Sequence, residues 1–153
     1  MALEHIADWD DFYLGMAAYM SCKSKDPSTR VGAVIVRPDR THASSGFNGL
    51  PPGIADTAER LHNRELKYQL IRHAEANACA LAREPLHGYT LYVWPLPPCA
   101  QCAAMLIAEG IKRVIAPSVP PGSRWLESAM LGREVLEEAG VAVEWKPWES
   151  AWI

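Results

Sequence analysis

The sequence predicts an α/β fold of three layers, α/β/α, around a mixed sheet of five strands. Three observations carry that expectation. The apolar run Val31 to Arg37, the turn Pro38-Asp39-Arg40 and the stretch Thr41 to Phe47 read as a hairpin. From Ala74 onward, helical and strand-like segments alternate down to Trp145. The chain is 153 residues long and 49% apolar, enough for one core, and no repeat, linker or low-complexity tract divides it, so 1–153 is expected to be a single domain. A hairpin followed by alternating units requires antiparallel and parallel pairing in one sheet, with helices on both faces.

Each element has a local cause. Trp9, Phe12, Tyr13, Met16, Ala17 and Met20 recur near a 3.6 period, which predicts an amphipathic helix over residues 8 to 22 with Asp8 or Asp10 at its start. Residues 24 to 29 are turn-rich, and the hairpin follows. Ile54 to Arg72 is polar, with a short helix expected around Arg64 to Leu70. An irregular segment of that length tends to be functional, so it is expected to border a site, while Arg60, Arg64, Lys67 and Arg72 read mainly as a solvated face. A helix is predicted from Ala74 to Arg83, ended by Pro85, then a strand from Thr90 to Trp94. Pro98 is placed to open the next helix, which stops at Gly110. A strand over Lys112 to Ala116, a loop over Pro117 to Gly122, a helix over Trp125 to Ala139 and a strand over Val141 to Trp145 complete the order. Trp145, Trp148 and Trp152 are expected to cover core or an interface.

Composition narrows the function classes. A net charge of −3 and a pI near 5.9 disfavour a nucleic-acid partner, which needs a basic surface, and favour a small ligand. No apolar run approaches the roughly 18 residues needed to span a bilayer, and the first ten residues lack a basic flank and an apolar h-region, so a cytoplasmic protein is expected. There, four cysteines are metal ligands or free thiols rather than disulfides, and Cys22 and Cys79 are read as unpaired. His5, His42, His62 and His87 lack ligand spacing and read as surface residues.

The chemistry concentrates in His73-Ala74-Glu75 and Pro98-Cys99-Ala100-Gln101-Cys102. On a helix Cys99 and Cys102 would project about 60° apart, so one metal ion can touch both sulfurs. His73 and Glu75 would stand roughly 200° apart on a helix, so they share a site only if the helix begins near residue 73 and meets the site end-on. Two helix N-termini would then converge, and their positive ends favour thiolates. A C-x-x-C alone also fits a thiol redox protein using Cys99 and Cys102, or a zinc-stabilised binding module; neither gives Glu75 a task.

The order H-x-E then P-C-x-x-C resembles the signature of zinc-dependent nucleobase deaminases. The likeness extends further. Ser24-Lys25-Asp26-Pro27-Ser28-Thr29-Arg30-Val31-Gly32-Ala33, Gly46 to Gly53, Lys67-Tyr68, His73 to Ala78, Leu91-Tyr92-Val93, the cysteine motif and Gly110-Ile111-Lys112-Arg113-Val114 resemble the deoxycytidylate (dCMP) deaminase family in order and spacing, over roughly residues 8 to 145. The resemblance implies a cytidine deaminase-like fold with Zn2+ held by His73, Cys99 and Cys102, and Glu75 as the proton shuttle. It implies hydrolysis of a cytosine nucleotide, dCMP to dUMP plus ammonia, by zinc-bound hydroxide. It also places Asn48 on the nucleoside and Lys25 and Arg30 near the nucleotide, and it implies a homo-oligomer, dimer or hexamer. Two departures stand out. Trp94-Pro95-Leu96-Pro97 replaces a small residue after the strand, so Trp94 and Leu96 are expected to reshape the base pocket. Pro117 to Trp125 replaces a polar, tyrosine-bearing stretch, which bears on the 5′-phosphate. A deaminase of a free base or nucleoside (cytosine, a modified cytosine, guanine or a related aminated ring) is therefore the alternative.

Overall fold

A computed structural model describes residues 4–147, so Trp148 and Trp152 lie outside the described residues. The elements run α1 (Trp9–Ser21), β1 (Gly32–Val36), β2 (His42–Phe47), α2 (Ala58–His62), α3 (Arg64–Leu70), α4 (Ala74–Ala82), β3 (Thr90–Trp94), α5 (Ala100–Glu109), β4 (Arg113–Pro117), α6 (Leu126–Glu138) and β5 (Ala142–Lys146). They form a five-stranded mixed sheet in the order β2-β1-β3-β4-β5. β1 pairs antiparallel with β2 and β3, while β3, β4 and β5 pair in parallel.

Period-2 alternation sends successive residues to opposite faces and so divides the interior in two. Ala33, Ile35, Leu91, Val93, Val114 and Ala116 join Ala74, Ala78, Ala82, Ala103, Leu106 and Leu136 under α4, α5 and α6. Val34, Val36, Tyr92 and Ile115 meet Tyr13, Leu14 and Ala17 of α1 on the other face. The three-layer α/β/α arrangement expected from the sequence is the one observed. α1 begins where expected, at an Asp8 N-cap that accepts from the Asp11 amide.

Small residues let the helices approach closely. α4 presents Ala74, Ala78 and Ala82 to the sheet, one per turn. At Gly46 of β2, an added Cβ would lie 2.6 Å from the Ala78 amide nitrogen and 2.9 Å from the Ala74 carbonyl oxygen, so glycine is what permits the contact. Ser44 Oγ donates to the Ala78 carbonyl at 2.7 Å, and Asn77 Nδ2 donates to the Phe47 carbonyl at 2.8 Å. The start of α4 is thereby pinned to β2.

Three expectations change. α2 was not foreseen; none of its residues is buried, so it carries no apolar stripe to detect. Pro98 does not open α5, because Cys99 is the N-cap and Ala100 the first helical residue. Lys67 is no part of a solvated face: it is 4% exposed and forms an ion pair with Asp26, also buried, at 3.1 Å. Trp145 is half-buried on β5, with the Arg133 guanidinium 4.9 Å from its ring centroid.

Candidate active site

The site assembles at two helix starts. His73 is the N-cap of α4, with extended backbone and no side-chain capping bond of its own, which frees its ring. Cys99 is the N-cap of α5, and its sulfur accepts from the Cys102 amide at 3.4 Å. A pair of cysteines three apart therefore meets as N-cap and third helical residue, not as two positions on a helix face. The loop after β2 fixes the approach to α4: Gly49 and Arg72 exchange both backbone hydrogen bonds, at 3.1 and 2.8 Å, immediately before His73.

His73 Nδ1 lies 3.2 Å from Cys102 Sγ and 3.6 Å from Cys99 Sγ. The three donor atoms fall within 4.8 Å of one another, among the described residues the one such group of histidine, cysteine and acidic side chains. Bonds of about 2.0 Å to nitrogen and 2.3 Å to sulfur at tetrahedral angles put ligand atoms roughly 3.6 Å apart. The spacing fits zinc, and the nitrogen and sulfur donors suit it. With three protein donors the fourth tetrahedral position is left open, as in a catalytic site.

Electrostatics favour the thiolate at one of the two sulfurs, Cys99. A hydrogen bond from Cys102, then His73, lowers the Cys99 thiol to about 4, while the Cys102 thiol is raised by sharing its proton with Cys99 and by burial. His73 is raised by its bond to Cys99. Glu75 is 4% exposed and lines the cavity; burial pushes its carboxyl above the usual range, against its own backbone amide and His73. Such a carboxyl has a raised proton affinity next to the metal donors. The remaining cysteines are different: Cys79 is pushed up to about 12 by burial, and Cys22 lies exposed, also as a free thiol.

In front of the donors lies a cavity of about 120 Å³, walled by residues of 26–31, Asn48, 67–75, 96–99 and 124–129. The structure brings His73, Glu75, Cys99, Leu96 and Asn48 to it. It leaves Lys25, Arg30 and Trp94 out of the lining. Lys25 reaches outward to Asp56 at 2.8 Å, and Arg30 is exposed. Trp94 packs with the α1 side of the sheet, because strand alternation turns it away from the α4 face.

Asn48 is held by the protein itself. Its Oδ1 accepts from the Val31 amide at 2.8 Å, and its Nδ2 donates to the Thr29 carbonyl at 2.9 Å and to Asp26 at 3.4 Å. Asp26, Ser28, Lys67, Tyr68, Arg124, Trp125 and Ser128 also line the cavity and were not singled out as site residues from the sequence. For Asp26, Ser28, Lys67 and Tyr68 a signal existed, since they stand in the blocks that carry the resemblance. For Arg124 and Trp125 there was only the departure of their segment from the family pattern.

A family profile described as the cytidine and deoxycytidylate deaminase zinc-binding region matches residues 7–117. The chain is 40% identical over 144 residues to a protein of Aliivibrio fischeri described as an uncharacterised deaminase, covering 93% of this chain and 96% of that one. It is 36% identical over 116 residues to the deoxycytidylate deaminase of Mus musculus, covering 71% of this chain and 64% of the relative, less than two thirds of that protein's length. Its fold superposes with a TM-score of 0.73 on the dCMP deaminase of the cyanophage S-TIM5, crystallised with dCMP and dUMP, at 25% identity and covering 94% of this chain and all of that one. The chain belongs to the cytidine and deoxycytidylate deaminase family. It is a hydrolytic deaminase with a zinc-binding region, which sets the thiol redox reading aside.

Proposed function

We propose that the chain, as one domain over residues 1–153, deaminates a cytosine nucleotide, dCMP to dUMP plus ammonia. One observation carries this: the buried carboxyl of Glu75 lines the same small cavity as His73 and Cys99, with the Cys102 sulfur buried directly behind them. His73, Cys99 and Cys102 would hold zinc, which when bound lowers the pKa of a water to about 7. Glu75 would serve as the proton shuttle there, accepting a proton from water and passing protons to N3 of the pyrimidine and to the departing amine as C4 gains its oxygen. Burial supports the role, because a carboxyl that holds its proton firmly can act as acid as well as base. Ile71, Leu96, Pro97 and Trp125 supply apolar cavity wall against which an aromatic ring can pack. A dCMP-bound neighbour and a deoxycytidylate deaminase among the relatives support the choice of substrate.

The apolar wall of Ile71, Leu96, Pro97 and Trp125 would also accept a bare aromatic ring, which leaves a second reading, a deaminase of a free base or nucleoside. A panel of dCMP, dCTP, cytidine, cytosine, adenine and guanine assayed for ammonia release separates the two. The proposal expects dCMP to be the best substrate; inert dCMP beside a reactive free base overturns it. Glu75→Gln should lower turnover by about 10²- to 10⁴-fold while zinc content holds near one ion per chain. A cytoplasmic location is proposed from the small nucleotide substrate, and among the described residues no helix is long and apolar enough to cross a membrane. Assembly into a dimer or hexamer is likewise proposed, and sedimentation of the purified chain tests it.

A further inference from the structure

The lysine and arginine side chains in the cavity wall are Lys67 and Arg124. They are in opposite situations. Lys67 is buried, and its ammonium is held by Asp26 at 3.1 Å and Ser28 Oγ at 3.3 Å, so its charge is answered inside the protein. Arg124 is exposed and, among the described residues, faces no carboxylate within ion-pair distance. Its guanidinium lies 4.6 Å from the centroid of the Trp125 ring, which also lines the cavity. Stacking on an aromatic face orients the guanidinium while its N–H edge stays available. Tyr68 also lines the cavity, and behind it Arg64, itself outside the lining, lies 5.3 Å from its ring centroid and donates to its hydroxyl at 3.2 Å. Uncompensated arginine charge at the cavity of a chain whose net charge is −3 is the signature of a site for an anionic ligand.

We propose that Arg124, stacked on Trp125, is the residue that reads the 5′-phosphate of the nucleotide, and that it makes the enzyme prefer a 5′-monophosphate to the bare nucleoside. This rests on the reading of the cavity as a cytosine nucleotide site. The base occupies the end at Glu75 and Cys99, and the phosphate the wall at Arg124. An arginine edge offers two parallel N–H donors to two phosphate oxygens, which a lysine cannot match. The segment that departs from the family pattern thus supplies a phosphate contact of its own.

The test measures kcat/KM for dCMP and for deoxycytidine with zinc-loaded wild type, Arg124→Ala and Arg124→Lys, and the inhibition constants of dUMP, deoxyuridine and inorganic phosphate. Losing one charge-assisted contact to phosphate should cut the dCMP-to-deoxycytidine ratio about 10- to 100-fold in Arg124→Ala. Arg124→Lys should fall between. dUMP and phosphate should inhibit Arg124→Ala more weakly by a similar factor, with deoxyuridine much less affected. A ratio that stays constant because both substrates fall together, or because neither changes, overturns the inference while leaving deamination of dCMP intact. A wild type that prefers deoxycytidine or a free base overturns it too. A wild type that releases ammonia from no cytosine compound sinks the underlying reading, a result distinct from the other two.

Discussion

Replacing Lys67 with Met removes one partner of a buried ion pair and keeps most of the side-chain volume. The Lys67 and Asp26 side chains are 5% and 7% exposed, so neither charge has water to fall back on. Breaking such a pair typically costs about 3–5 kcal/mol. Asp26 would retain the Ser28 amide at 2.7 Å, the Thr29 amide at 3.3 Å and Asn48 Nδ2 at 3.4 Å, which places the loss at the lower end, about 3 kcal/mol. With a urea slope of about 2 kcal/mol per molar, the unfolding midpoint should fall by about 1.5 M. Equilibrium urea unfolding of Lys67→Met, Asp26→Asn and the double variant, each with its metal content fixed, closes a cycle. The two single losses should overlap, leaving a coupling of at least about 1 kcal/mol. A shift below about 0.5 kcal/mol for Lys67→Met, or strict additivity, would refute the idea that this pair organises the cavity wall.

Gly46→Ala should push α4 off β2, because the new methyl meets backbone atoms at 2.6 and 2.9 Å; about 1–3 kcal/mol of stability and a larger share of turnover should go together, and unchanged kinetics would contradict it. Chelation should abolish activity and lower the thermal midpoint, and added zinc should restore both, since an ion bound to the folded chain stabilises it by mass action. Burial alone would raise the Asp10 carboxyl, yet hydrogen bonds from Tyr92 at 2.6 Å and Arg113 at 2.9 Å outweigh it and hold it below its ordinary value. A depressed carboxyl stabilises above its unfolded pKa of about 3.9 and loses that contribution as pH falls through its folded value. Arg113→Gln should therefore destabilise at neutral pH and flatten the acid limb below about pH 4 in a thermal-midpoint profile, and parallel profiles would count against the pair.

Local causes made most of the fold legible. The Asp8 cap, the apolar hairpin, the Gly110 stop and the alternation after Ala74 each act within a few residues, and the observed boundaries fall within one or two positions of them. The end-on approach of His73 and Glu75 was also forced by spacing alone, and His73 is found at the N-cap. What stayed hidden depends on partners far away in the chain. Lys67 sits among Arg60, Arg64 and Arg72, all exposed or partly so, and nothing local separates it from them; its partner Asp26 is 41 residues away. Arg30 and Lys25 look equivalent to Asp26 in sequence, but the turn sends the carboxylate inward and both cations out.

This difference in legibility follows from a division of labour in the molecule. The metal donors ride on the starts of α4 and α5, which are fastened to the sheet by Gly46, by the Ser44 and Asn77 bonds and by alanine packing. Any shift of either helix would separate His73 Nδ1 from the sulfurs, so reaction chemistry is tied to the layers of the fold. The rest of the cavity wall comes mainly from connecting segments: Asp26 to Val31, Asn48 and the run at Arg124 and Trp125. Connecting segments of this kind can vary in composition without moving the packed layers that carry the donors. Replacing Arg124, rather than His73, Cys99 or Cys102, should therefore change which substrate is preferred while leaving the donor geometry in place.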